Sequence, residues 1–151
     1  MPYYPPNSSN NANTSDVSRF SIYQSIRQSI NSPNVYNKIE LDVKSFDKLN
    51  EFANNRLTVK NTGVYLLNGT VGVEKPSASP DWRIIITVYV NGNEYARGGD
   101  LSLTLPYGGT SVNAICFLNS GDYAELFLYT NYPCTSYSDS AITHLTGIKI
   151  A

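Results

Sequence analysis

The chain has 151 residues, of which 15% are charged, and a formal net charge of -1. That length suits one domain with a substantial core, and the near-neutral balance leaves out the basic patch or stripe of a nucleic-acid binder. No apolar run reaches the length of a membrane-spanning helix.

Residues 1–13 are polar and proline-rich, without apolar periodicity, and read as a disordered or extended arm. Tyr3 and Tyr4 sit among prolines and are candidates to anchor such an arm on a partner; an unstructured terminus without a role is the other reading. The start of the chain lacks the basic and apolar regions of a secretory signal. The expectation is synthesis in a cytosol, with release, if any, by lysis or inside a particle.

Between residues 16 and 30 the apolar positions are Val17, Phe20, Ile22, Tyr23, Ile26 and Ile30. Steps of three and four dominate, so a short amphipathic helix is one reading, with Ser15 or Asp16 as cap and Pro33 as stop. Four serines in the same stretch support the competing reading, an extended arm. The helix would need a partner to be stable, either copies of itself about a symmetry axis or another protein, because an isolated helix of this length is marginal in water.

From Val35 onward the pattern is strand and turn. Ile39, Leu41 and Val43 alternate over residues 37–43. Residues 56–59 form a short strand, Asn61-Thr62-Gly63 a turn, and residues 64–73 a longer strand. Residues 83–90, RIIITVYV, are nearly all β-branched and predict the strongest strand. Asn91-Gly92 then gives a hairpin signal, Tyr95-Ala96-Arg97 begins the return, and Leu101, Leu103 and Leu105 alternate further on. Residues 111–118 predict a strand, Asn119-Ser120-Gly121-Asp122 a tight turn, and residues 123–129 another strand. There Ala124, Leu126 and Leu128 face one way and Tyr123, Glu125, Phe127 and Tyr129 the other. Residues 131–140 read as a polar loop and residues 142–150 as a last strand. Many short strands at this spacing indicate an all-β sandwich or barrel.

The order of these motifs resembles the globular head of complement, which shares its jelly roll with tumour necrosis factor. Thr62-Gly63-Val64-Tyr65-Leu66-Leu67 resembles the G-x-Y-x-F strand, with Leu67 for Phe. Tyr89-Val90-Asn91-Gly92-Asn93 resembles the x-V-N-G-x hairpin, and Arg97-Gly98 the stretch that often follows it. Leu118 to Leu126 resembles L-x-x-G-D-x-V-x-L, with Ala124 for Val. Leu145-Thr146-Gly147-Ile148-Lys149-Ile150 resembles the closing F-x-G strand, with Leu145 for Phe.

The resemblance implies a ten-strand, two-sheet jelly roll that trimerises and binds rather than catalyses. Residues 34–151 would form the jelly-roll trimerisation domain and residues 1–33 the flexible arm. Val112, Ala114, Cys116 and Leu118 would enter the core with Tyr65 and Leu67. Val64, Leu66, Asn113, Ile115 and Phe117 would face the threefold axis, with His144 beside them. Tyr123, Phe127 and Tyr129 would form an outward contact patch, unless loops or a neighbour's arm cover it. The family usually carries a collagen or coiled-coil stalk. Its lack here points instead to a virion-surface type.

Catalytic and metal chemistry finds little support. His144 has no nucleophile-elbow motif elsewhere in the chain to serve, and Asp100, Asp122 and Glu125 are glycosidase candidates by residue type alone. Complement-type heads sometimes hold calcium, which would fall to Asp100 or Asp139, but no EF-hand spacing exists. Cys116 and Cys134 fit no zinc pattern and read as free thiols. No cofactor is expected.

The expected function is that of a non-enzymatic virion structural protein, a trimeric bacteriophage decoration or cement protein. It would attach to a capsid lattice through the arm residues Tyr3, Tyr4, Val17, Phe20, Ile22, Tyr23, Ile26 and Ile30. The alternative is a receptor- or carbohydrate-binding head of a phage fibre or bacterial surface protein, with Tyr107, Tyr123, Phe127, Tyr129, Tyr132 and Tyr137 stacking on sugars. Twelve tyrosines suit binding surfaces and also strands.

Overall fold

A computed structural model of the chain describes residues 17–76 and 81–151. Among the described residues there are thirteen strands and no helix. In chain order they are β1 (Arg19–Tyr23), β2 (Ser29–Ile30), β3 (Val35–Lys38), β4 (Val43–Asp47), β5 (Phe52–Ala53), β6 (Arg56–Thr58) and β7 (Gly63–Glu74). There follow β8 (Trp82–Val90), β9 (Asn93–Leu103), β10 (Tyr107–Leu118), β11 (Tyr123–Thr130), β12 (Cys134–Ser136) and β13 (His144–Lys149).

They form two antiparallel sheets. In the first, β10 pairs along the whole of β7, and β13 and β12 share the opposite edge of β7. The sheet continues from β13 through β1 to β4, and from β12 to β2. The second runs β5-β6-β11-β8-β9, with β3 also on β11. The strongest sequence signals build the long strands of both sheets. Asn91 and Gly92, at φ 51° and 79°, form the β8–β9 turn, the positive pair that an Asn-Gly hairpin requires. The turn before β11 is closed by Asp122 N–H on the Asn119 carbonyl at 2.9 Å and by Asn119 N–H on Asp122 Oδ2 at 2.8 Å.

One core lies between the sheets. Tyr65, Leu67, Val112, Cys116 and Leu118 of the first sheet meet Ile84, Ile86, Val88, Leu126 and Leu128 of the second. A period of two delivers this set, because alternate residues of each strand point to the same side.

The N-terminal region differs from expectation. Residues 17–30 form neither a helix nor a separate arm, because Arg19–Tyr23 is a strand held between β13 and β4. Phe20, Ile22 and Ile30 are buried in the chain's own core and have no surface left for a partner. Burying side chains of this size is worth about 1.5–3 kcal/mol each, and the sandwich offers that burial without a partner. Val17 and Tyr23 are half-buried, and Ile26 is exposed between β1 and β2. The jelly roll therefore includes at least residues 17–33 of the expected arm. Tyr3 and Tyr4 lie outside the described residues.

Other boundaries move as well. The expected strand over residues 37–43 is a crossover from β3 in the second sheet to β4 in the first. Ile39 and Leu41 are buried along it, and Ile39 N–H donates to the Leu126 carbonyl at 2.8 Å. An extended crossing buries alternate residues just as a strand does. The two segments expected around Tyr95 and Leu101 are one strand, β9. The polar loop contains β12, whose Cys134 pairs with Ile30. The expected ten strands are thirteen among the described residues, several of them only two or three residues long.

Candidate assembly face and outer aromatic cluster

The first sheet has an outward face that is apolar at one end. Along β10, Val112, Ala114, Cys116 and Leu118 are buried while Asn113, Ile115 and Phe117 are exposed. Antiparallel register sets Phe117 opposite Val64, Ile115 opposite Leu66, and Leu66 opposite Ile148 of β13. Ile115 is 64% exposed, Phe117 62%, and Leu66 and Ile148 39% each. The next row is polar: Asn68 Nδ2 donates to Asn113 Oδ1 at 2.7 Å. Beyond it Thr70 stands opposite both Ser111 and His144. Phe46, Leu66 and Ile148 wall an open groove of about 320 Å³ on this face, floored by Gly147 and edged by Arg19 and Asn68.

All six residues expected at a threefold axis, Val64, Leu66, Asn113, Ile115, Phe117 and His144, share this face. His144 and Val64 are half-buried. The Nδ1 of His144 lies 3.0 Å from Thr70 Oγ1. Burial lowers its pKa, against the opposing effect of a hydrogen bond with the Ser140 backbone. The imidazole is oriented by a hydroxyl rather than a carboxylate, which is not the geometry of a Ser-His-Asp triad.

The outward face of the second sheet carries an aromatic cluster. Ring centroids are 4.2 Å apart for Tyr89 and Phe127, 5.7 Å for Tyr36 and Tyr129, and 5.9 Å for Tyr36 and Tyr89. All four residues are half-buried. Ile85 and Thr87 share their face of β8 and are buried. Thr87 Oγ1 has no hydrogen-bond partner among the described residues. Of the expected contact patch, Phe127 and Tyr129 belong to this cluster. Tyr123 does not, being stacked under Arg56, whose guanidinium carbon is 3.7 Å from the ring centre.

Ion pairs rim the cluster. Glu125, nearly buried, accepts from Lys38 Nζ at 2.6 Å and Arg56 Nε at 3.0 Å. Burial alone would raise its carboxyl pKa, but those two cations outweigh burial and hold it below the ordinary value. Arg83 donates to Asp100, and Arg97 to Glu94. Asp100 is thereby engaged, and Asp139 accepts from Ala141 N–H at 2.7 Å. Among the described residues no three His, Cys, Asp or Glu side chains converge as a metal site would need.

Tyr36 and Tyr89 were not expected here. The signal for Tyr89 was present: Ile85, Thr87 and Tyr89 are the odd set of β8, opposite the core set Ile84, Ile86 and Val88. The other tyrosines expected to stack on sugars lie elsewhere. Tyr132 packs against the core, and Tyr107 and Tyr137 flank Glu74 of the first sheet, with Tyr137 OH donating to Glu74 at 2.7 Å.

No protein-family model and no curated protein matches the sequence. Solved structures do match the fold. Murine APRIL at pH 5.0 has a TM-score of 0.66, 14% identity, and alignment over 89% of this chain and 99% of that one. The globular domain of zebrafish complement 1qA gives 0.64 and 14%, over 89% and 98%. The Eiger TNF of S. frugiperda gives 0.60 and 14%, over 89% and 93%. The chain thus has the two-sheet jelly roll of tumour necrosis factor and complement globular heads.

Proposed function

We propose that this chain is a non-catalytic homotrimer whose subunits meet through the outward face of the first sheet. The carrying observation is the row Phe117, Ile115, Leu66 and Ile148, apolar side chains left in water on one contiguous face. Patches of this kind mark interaction sites. A closed threefold ring needs two different, complementary surfaces on each subunit. The projecting Phe117 and Ile115 at the β10 edge, and the Phe46–Leu66–Ile148 groove across the sheet, supply such a pair. The matched structures belong to a fold class that forms trimers, which supports the same reading. Replacing Ile115 and Phe117 with Asp should yield a folded monomer; a trimer surviving both changes overturns the interface.

The proposal extends to place and partner. The trimer is a structural protein of a virion surface, bacteriophage in type, and residues 1–16 are the part that reaches across neighbours on the lattice. The sequence of that segment supports this reading. The full chain should co-sediment with particles from its source, and a chain lacking residues 1–16 should not; equal binding of both removes the arm from the account.

A receptor- or carbohydrate-binding head is the second reading. The half-buried rings of Tyr36, Tyr89, Phe127 and Tyr129 are the observation in its favour. Specific sugar binding on a glycan array, lost on Phe127→Ser, would carry it.

A further inference from the structure

The sequence contains two Asn-Gly pairs, Asn68-Gly69 and Asn91-Gly92. In such a pair the backbone nitrogen of the glycine can attack the asparagine amide, because the glycine carries no side chain to stand in the way. The glycine nitrogen bonds to Cγ and gives up its proton. The bond from Cγ to Nδ2 breaks, and Nδ2 leaves as ammonia. Water then opens the cyclic imide at either carbonyl, leaving aspartate or isoaspartate. Water is the only co-reactant.

The fold treats the two pairs differently. Asn68-Gly69 lies in the middle of β7, where Gly69 stands opposite Val112 of β10 and Leu145 of β13. A strand paired on both sides has its N–H groups committed to the ladders, so the Gly69 nitrogen is not free to turn on Cγ. Asn91-Gly92 is an exposed turn, and its Gly92 N–H donates to nothing among the described residues. The restraint there is on the asparagine side chain instead. Asn91 Oδ1 accepts from Tyr123 N–H at 3.0 Å, and Nδ2 donates to Asp122 Oδ1 at 2.9 Å. Hydrogen bonds from Asn119 N–H and from Asn91 hold the Asp122 carboxyl below its ordinary range, so this clamp is charge-assisted.

We infer that Asn91 is a spontaneous deamidation site of the folded protein, and that Asp122 sets its rate by holding the amide away from the Gly92 nitrogen. The product cannot rebuild the clamp. In aspartate an oxygen takes the place of Nδ2, 2.9 Å from Asp122 Oδ1, and carboxylate meets carboxylate. Isoaspartate adds a backbone carbon to a hairpin turn whose register depends on its length. Either product loosens the end of the second sheet where the β8–β9 and β10–β11 turns meet. The reaction is therefore a one-way mark on the chain, and it is independent of the trimer and of the arm.

The discriminating variant is Asp122→Asn. Its side-chain oxygen still accepts from Asn119 N–H, as Asp122 Oδ2 does at 2.8 Å, while its new amide nitrogen faces Asn91 Nδ2 and releases it. The full chain is held at pH 8, and amide-to-acid conversion is mapped by peptide mass spectrometry. The folded parent should convert Asn91 and spare Asn68. Asp122→Asn should speed conversion of Asn91 about tenfold, the effect of losing one hydrogen bond to a charged group, with Asn68 still spared. Equal Asn91 rates in parent and variant, conversion of Asn68 ahead of Asn91, or Asn68 accelerating in step with Asn91 would overturn the inference. A second measurement follows the product. Asn91→Asp should melt below the parent at pH 7, and adding Asp122→Asn should restore the melting temperature, because the new amide donates to the new carboxylate. A failure of that rescue would remove the clamp from the account.

Discussion

The ring of Phe20 occupies the space where a side chain at position 147 would stand. The two residues face each other across β1 and β13, and a Cβ on Gly147 would come within 2.5 Å of Phe20 Cζ and 2.8 Å of Leu67 Cδ2. The last strand thus carries a glycine so that the first strand can bury a phenylalanine. Gly147→Ala should cost about 1–3 kcal/mol by overpacking, and Phe20→Ala about 3–5 kcal/mol through the cavity it leaves. Chemical denaturation measures both. A Phe20→Ala variant as stable as the parent would return this stretch to the arm.

The two thiols are expected to be inert in the folded protein. Cys116 and Cys134 are buried and unpaired, and burial pushes each thiol pKa up to about 11. The thiolate is the reactive form. A chromogenic disulfide reagent should label neither cysteine at pH 8 until denaturant unfolds the chain, when both should react. Rapid labelling of the native form would contradict the burial.

Stability should fall in acid. The Glu125 carboxyl is held below its ordinary value by Lys38 and Arg56 against the effect of burial. Asp47 is likewise held low, by the Glu51 and Phe52 backbone and by Lys44, again against burial. A carboxyl depressed in the folded state stabilises above its unfolded pKa and loses that contribution as pH falls through the folded value. Melting temperature should therefore drop progressively below about pH 4.5. Glu125→Gln should melt lower than the parent at pH 7 and show a flatter decline toward pH 3.

His144 should add a second step at milder pH. Its pKa lies below the ordinary 6.5, mainly through burial. Its neutral form is the one the fold favours, so stability is full above that value and declines as pH falls through the folded pKa. Conversion of His144 to Gln should remove the decline that sets in as pH falls below about 6.5 while sparing the carboxylate step.

Much of the fold was legible because long strands announce themselves. In β7, β8, β10 and β11 alternation runs over many residues, and Asn91-Gly92 and Asn119-Ser120-Gly121-Asp122 punctuate it. The core set and exposed set of β10 followed from the resemblance to complement-type heads, and the observed burial alternates in the same way. The short strands were not legible. β1 pairs with β13 and β4, whose sequence positions give no local hint, and the three-residue steps Val17, Phe20, Tyr23 and Ile26 fit a helix while only the Phe20–Ile22 step of two fits a strand. Cys134–Ser136 forms a strand only because Ile30 and Glu74 lie on either side of it. The outer cluster was half legible. Phe127 and Tyr129 stood out in one strand, but Tyr36 came from a polar stretch and Tyr89 from a run that reads as all core. Clusters assembled from three strands depend on register, which single-sequence periodicity does not fix.

The central claim is that Ile115 and Phe117 are covered by another copy of the same chain. The most direct measurement is the mass of the purified full-length protein in solution, by native mass spectrometry or light scattering. One chain is 16.7 kDa, and the account predicts a species of three times that mass that Ile115→Asp with Phe117→Asp reduces to one chain. A stable, soluble 16.7 kDa monomer of the unaltered protein, with both side chains in water, would contradict it.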